Sequence, residues 1–168
     1  INTQPNIYHM GYVLGPRINA GGRVGKSSHG ANLLLNNNAK EVFKIASELD
    51  QFNKERQYLE EDVLNKIAIE ANKTQSDPVI ILSGKNWHEG VIGIVASRLK
   101  DKFNKPVIII TVDKNLGKAS ARSVIGFDIG SIIIAAMQEK ILIKGGGHKM
   151  AGGCLLYTSP SPRDDGVS

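Results

Sequence analysis

From Asn38 onward, apolar residues recur at Val42, Ile45, Leu49, Phe52, Leu59, Val63 and Ile67, with Arg56 in the one gap of the series. Steps of three and four put these positions on one face of a helix. Asn38, with Glu41 three residues on, has the form of an N-cap and its reciprocating carboxylate. A helix reaching Asn72 would be roughly 50 Å long at 1.5 Å per residue, more than a small core needs. The pattern therefore predicts a connector between two lobes, over residues 39–75, rather than a packed core helix.

The two flanks differ. Before the connector, Gly15-Pro16, Gly21-Gly22 and Gly25 punctuate the chain, which predicts a loop-rich interdomain segment over residues 1–38. After it, a turn at Ser76-Asp77-Pro78 leads to a short apolar run at 79–82, expected as a buried strand. Helical spacing follows over 90–102, and Pro106 opens a second apolar strand at 107–111. This β-α-β order with short loops argues an α/β unit. A strand at 118–124, a helix at 129–139 and a strand at 141–143 complete a small domain over 76–153. No internal repeat is visible.

The remaining 15 residues, 154–168, have a different origin. Residues 154–164 match, codon for codon, the translation of a common transposase-based sequencing adaptor, and the segment is dense in Ser, Pro and Asp. The expectation is that 154–168 is not natural protein. The chain's only cysteine, Cys154, falls inside it, so cysteine usage says nothing about redox compartment.

Bulk properties narrow the classes. Apolar content of 41% in 168 residues is ordinary for a globular protein. No apolar run approaches the ~20 residues that span a bilayer, so no membrane partner is expected. The chain opens Ile1-Asn2-Thr3 without methionine or a secretory signal, which suggests a piece of a longer protein. A net charge of +5 and a pI near 9.3 permit a polyanionic partner without demanding one.

Two segments look suited to an anion. In Lys144-Gly145-Gly146-Gly147-His148-Lys149 the glycines leave the main chain bare. They also permit the φ > 0 geometries that turn successive N–H groups toward one point. A histidine and two lysines flank them, which fits a phosphate; a flexible turn is the alternative. Ser120 and Arg122 alternate along a strand and so share a face. A hydroxyl beside a guanidinium fork suits a phosphate, because arginine donates two parallel charge-assisted hydrogen bonds. An exposed strand edge is the alternative there.

Trp87 and His88 lie between a strand and a helix N-terminus, where free N–H groups favour an anion. Trp87 would stack a base at ~1–3 kcal/mol or else pack in a core. His9, His29, His88 and His148 lack the partner spacing of a metal-ligand set, and there is no Asp-His-His triplet.

Four segments, in order, resemble the RecJ family of single-strand-specific exonucleases within the DHH phosphoesterase superfamily. They are Gly15-Pro16-Arg17-Ile18-Asn19-Ala20-Gly21-Gly22-Arg23, the stretch from Trp87-His88-Glu89-Gly90 through Leu99, Ser120-Ala121-Arg122-Ser123, and residues 145–148 with Met150-Ala151-Gly152 behind them. Gly21 departs from the family's usual alanine. The resemblance covers nearly all of 1–153.

It implies a DHH-associated substrate-binding domain, α/β with a mixed sheet, behind a long connector helix. It further implies that Ser120 and Arg122 hold the 5′ phosphate of the strand end, with residues 145–148 forming one wall of the cleft. Arg17, Asn19 and Arg23 then make DNA or interdomain contacts, unless they are the structural arginines of a salt-bridged hinge. The parent would hydrolyse single-stranded DNA from the 5′ end in recombination and repair. It would be cytoplasmic and monomeric, using manganese or magnesium ions bound by its own upstream DHH domain. The present chain would bind the strand, hold no metal and be inactive alone. Two other functions stay open: a DHH phosphoesterase acting on short RNA or cyclic dinucleotides, and a non-catalytic nucleic-acid-binding module like the C-terminal domain of alanyl-tRNA synthetases.

Overall fold

The computed structural model describes residues 4–158, so residues 159–168, most of the expected adaptor tail, lie outside the described residues. The chain forms two compact units, one running through Glu61 and the other starting at Asp62. The division falls inside the long helix.

The first unit is helical. A π-helical stretch, His9–Leu14, runs into α1 (Gly15–Val24), followed by α2 (Ser28–Leu35) and the first part of α3 (Ala39–Lys73). Among the described residues of the segment expected to be loop-rich, 1–38, most are thus helical. Pro16 stands in the first turn of α1, where a missing N–H costs no intrahelical bond. The glycines serve close approach: a Cβ on Gly30 would lie 2.9 Å from Ile18 Cγ2, and one on Gly21 would lie 3.0 Å from both Leu49 Cδ2 and Lys26 O.

The predicted cap of α3 forms, with Asn38 Oδ1 accepting from the N–H groups of Lys40 (3.0 Å) and Glu41 (3.4 Å). Leu49, Val63, Ile67 and Ala71 are buried along its apolar stripe. Burying each of the larger three contributes about 1.5–3 kcal/mol. The gap in that stripe holds a buried polar cluster. Arg56 donates through Nη1 to Glu60 Oε2 (2.7 Å) and through Nη2 to Asn53 Oδ1 (3.2 Å).

The second unit contains the end of α3, a 3₁₀ turn (Thr74–Ser76), β1 (Ile80–Lys85), α4 (Glu89–Phe103), β2 (Val107–Asp113), β3 (Leu116–Arg122), α5 (Ile129–Gln138), β4 (Lys144–His148) and β5 (Ala151–Tyr157). The strands form one mixed sheet in the order β1-β2-β3-β5-β4; β1 and β2 are parallel and the other neighbours antiparallel. The α/β expectation for this unit holds. Ile80, Leu82, Val107 and Ile109 alternate inward and are buried together with Val91, Ile92, Val95, Ala96 and Leu99 of α4. On the opposite face Ile129 and Ile133 of α5 pack with Ala121, Ile108, Phe127, Leu142 and Cys154.

Three sequence expectations shift here. The strand predicted at 118–124 lies two residues earlier, as β3. The strand predicted at 141–143 lies three residues later, so Gly145, Gly146 and Gly147 are themselves β4. And β5 runs through residues 154–157, past the domain end expected at 153, because Cys154, Leu155, Leu156 and Tyr157 continue its ladder with β3.

Candidate nucleic-acid interface

The glycine segment is a strand and not a cradle. It pairs residue for residue with β5, from Lys144↔Leu155 to His148↔Ala151, and among the described residues only Gly126 is a glycine with positive φ. What demands glycine is proximity. A Cβ on Gly145 would lie 2.7 Å from Ile133 Cγ2, and one on Gly147 would lie 2.5 Å from Ala151 O. On Gly152 of the neighbouring strand it would meet Ile133 Cδ1 at 2.3 Å. Thus α5 and β5 press against β4 from one side. Gly146 points the other way, into open space with nothing within 4 Å of its Cβ position.

That open face is the one that carries Ser120 and Arg122. Register puts Ser120, Gly153 and Gly146 in one row across β3, β5 and β4, and Arg122, Ala151 and His148 in the next. Directly opposed residues share a face. The Arg122 guanidinium donates through Nη1 to Ala121 O (2.7 Å) and Ser120 Oγ (3.2 Å), which orients it beside the hydroxyl. α4 walls the row on its other side. A Cβ on Gly93 would come within 2.9 Å of Arg122 Nη2 and 3.0 Å of Ser120 Oγ. Glycine at this position lets the helix approach these two side chains without displacing them.

His148 borders the same floor. Its Nδ1 accepts from Met150 N–H (3.3 Å), which in the neutral ring leaves the proton on Nε2, a donor suited to an anion. The backbone of His148 is held from behind by α5: a Cβ on Gly130 would meet its Cα, C and O at 3.0–3.1 Å. Asp128 caps α5 by accepting from Ser131 N–H (3.1 Å), and that hydrogen bond holds its carboxyl below the usual range. Burial pushes the Cys154 thiol up.

The other candidates have structural partners. His88 is the N-cap of α4, its Nδ1 accepting from Gly90 N–H (3.1 Å). Trp87 is half-buried with its indole against Gly84, where a Cβ would come within 2.0 Å of the ring, and its carbonyl accepts from Thr111 Oγ1 (2.8 Å). Arg17, Asn19 and Arg23 lie on α1 in the first unit. Arg17 pairs with Asp50 (2.8 Å) and donates to Val13 O (2.7 Å). Lys54 first, and Arg17 second, hold the Asp50 carboxyl below its usual range. Asn19 and Arg23, four residues apart, are exposed. Sequence reasoning overlooked Gly93 as a site residue, although its place inside the second motif was visible.

A mixed sheet with a helix on each face, and a serine and an arginine side by side over a bare glycine floor, defines a small α/β domain with a geometry suited to a phosphate. The chain belongs to the DHHA1 domain family, whose model matches residues 76–161. It is 36% identical to the single-stranded-DNA-specific exonuclease RecJ of Bacillus subtilis over 157 residues, which is 91% of this chain and 20% of that protein. The Haemophilus influenzae RecJ is 38% identical over 155 residues, covering 88% of this chain and 27% of that protein. The chain thus spans about a fifth to a quarter of the curated relatives it matches. Among solved structures, RecJ from Thermus thermophilus in complex with Mn²⁺ superposes with a TM-score of 0.77 at 32% identity, over 88% of this chain and 22% of that one. An exonuclease RecJ bound to manganese gives 0.78 at 30% identity, over 92% and 38%.

No group of three or more His, Cys, Asp or Glu among the described residues is placed to hold a metal ion. The donor set therefore does not fit the manganese of those relatives, and no hydrolytic step is assigned to these side chains.

Proposed function

We propose that this chain is the strand-holding part of a nuclease that degrades single-stranded DNA from its 5′ end, with Ser120 and Arg122 gripping the terminal phosphate. The observation that carries the proposal is the pairing of that hydroxyl and guanidinium on a glycine-floored face. Gly153 and Gly146 place no side chain in the way of a deoxyribose-phosphate backbone, and the oriented fork supplies charge-assisted donors. His148 adds a further donor. The RecJ names and structures among the relatives support single-stranded DNA as the substrate.

In the whole protein a separate DHH domain, upstream in the chain, supplies the manganese or magnesium site. This chain positions the strand end for it. Recombination and repair in the cytoplasm is the setting, and a monomer the assembly. Residues 154–168 are adaptor translation that the natural protein does not carry. Arg17, Asn19 and Arg23 contribute contacts to the strand or to the neighbouring domain.

The test is direct binding. Fluorescence anisotropy of the purified chain should show tighter binding of a 5′-phosphorylated oligothymidylate than of its 5′-hydroxyl twin, with affinity falling steeply as salt rises. The same preparation with Mn²⁺ should release no nucleotide. Equal affinity for the two strands would remove the terminal-phosphate role, and release of nucleotides would remove the division of labour.

A further inference from the structure

Past Ser120, toward the start of β3, the sheet face that carries Ser120 and Arg122 opens into a groove. Thr111 and Lys118 lie opposite one another in the row next to Ile109 and Ser120, ~6.8 Å along the strands, with Gly84 of β1 aligned to Thr111. Asp113 and Leu116 form the row beyond. The groove over these rows holds about 730 Å³. It sits at the carboxyl ends of the two parallel strands, beside the start of α4, the crevice in which open α/β sheets hold ligands. Its lining residues all lie between Asn86 and Lys118, clear of 154–168.

The lining suits a flat, uncharged ring with a polar edge. Trp87 and Leu116 supply apolar surface, and packing of the indole against Gly84 fixes the tryptophan as one wall. The side chains of Asn86, Asp113 and Asn115 make no hydrogen bond or ion pair among the described residues. Two amides and a carboxylate together offer both donors and acceptors. Charge is balanced: Glu89 and Asp113 stand against Lys114 and Lys118, and Lys118 is already paired with Glu89. No surplus cation is left for a phosphate. A nucleobase fits this lining, with a π face that stacks on an aromatic side chain and an edge that hydrogen-bonds.

We propose that this groove seats the base of the 5′-terminal nucleotide, whose phosphate Ser120 and Arg122 hold. The inference rests on the terminal-phosphate role proposed above and extends it from the phosphate to the nucleoside. The Thr111–Lys118 row between the two seats leaves room for the sugar. The rest of the strand continues from the sugar's 3′ oxygen, and the groove holds no phosphate of its own. Stacking on Trp87 serves any base, since every base has a π face, and the mixed donors and acceptors of the rim serve any base edge.

Trp87 is the chain's single tryptophan, so its fluorescence reports on the groove. The experiment uses four oligothymidylates, with a 5′ phosphate or a 5′ hydroxyl, and with thymine or an abasic tetrahydrofuran at the first residue; every internucleotide phosphate is kept. The phosphorylated natural strand should quench Trp87. Removing its first base should abolish the quench and weaken binding roughly tenfold, the scale of one stacked base. Moving the abasic unit to the fifth residue should restore both. Asp113→Ala/Asn115→Ala, at an exposed hairpin, should weaken the natural strand about threefold, the scale of one neutral hydrogen bond, and leave the first-residue abasic strand unaffected. The groove is overturned by a chain that binds the first-residue abasic strand as tightly as the natural one. A Trp87 emission unmoved by the natural strand overturns it too, as does a double variant that weakens both strands equally. In each case the preference for the phosphorylated strand survives. Failure of the phosphate seat looks different: phosphorylated and hydroxyl strands then bind equally, and the assignment of the terminal base falls with it.

Discussion

Gly93 in α4 lies so close to Arg122 in β3 that a methyl group on it would sit 2.9 Å from the guanidinium Nη2. The obstructing atoms are the tips of side chains, Arg122 Nη2 and Ser120 Oγ, and side-chain tips can move away. Gly93→Ala should therefore leave the fold intact, and alanine's helix propensity even favours α4 by about 1 kcal/mol. Displacement of the guanidinium should cost roughly tenfold in affinity for 5′-phosphorylated strands, the scale of one hydrogen bond to a charged group. Thermal melting and anisotropy on the same variant check this: a stable protein with undiminished phosphate preference contradicts the placement.

Gly130 and Gly146 make an opposed pair. At Gly130 the atoms in the way are main chain of His148, which cannot rotate aside. Gly130→Ala should lower stability by about 1–3 kcal/mol, the cost of overpacking. At Gly146 nothing lies within 4 Å, so Gly146→Ala should leave the melting temperature unchanged or slightly raised while weakening binding to single strands. Denaturant titration separates the two effects; comparable destabilisation by both substitutions contradicts the assignment of faces.

Arg56 and Glu60 form an ion pair with side chains only 11% and 2% exposed. Removing one member of such a pair leaves a buried charge without its partner, at about 3–5 kcal/mol. Arg56→Ala should destabilise the chain by that amount in urea melts. A loss below about 1 kcal/mol, the level of an exposed pair, contradicts the buried pairing.

Asp128 ties acid stability to the N-terminal cap of α5. Its carboxyl is held low chiefly by the hydrogen bond from Ser131 N–H. A carboxylate lowered in the folded state contributes stability that is full above its unfolded pKa and is lost as pH falls through the folded one. Asp128→Ala should be less stable than the parent at neutral pH, and the difference should shrink as pH drops below the ordinary aspartate range of about 3.9. A difference that stays constant down to strongly acidic pH contradicts the cap.

The β-α-β core was legible because its apolar runs are contiguous and its partners are close in sequence. The same holds for α3, whose Asn38 cap and apolar stripe lie within one helix. Gly145, Gly146 and Gly147 misled for a physical reason. A glycine used for a turn and one used for close approach look alike in sequence, and the deciding neighbours, Ile133 and Gly152, sit in other elements. Gly21 hid α1 in the same way, its neighbour being Leu49. Of the site, the shared face of Ser120 and Arg122 followed from strand alternation alone. Their row-mates Gly153, Gly146 and His148 required the register, which no local pattern specifies.

The most direct test of the central claim is the affinity of Arg122→Ala for 5′-phosphorylated and 5′-hydroxyl strands, measured side by side at one salt concentration. Loss confined mainly to the phosphorylated strand, so that the two affinities converge, is the predicted result. Equal loss on both strands, with the preference for the phosphate intact, would contradict it.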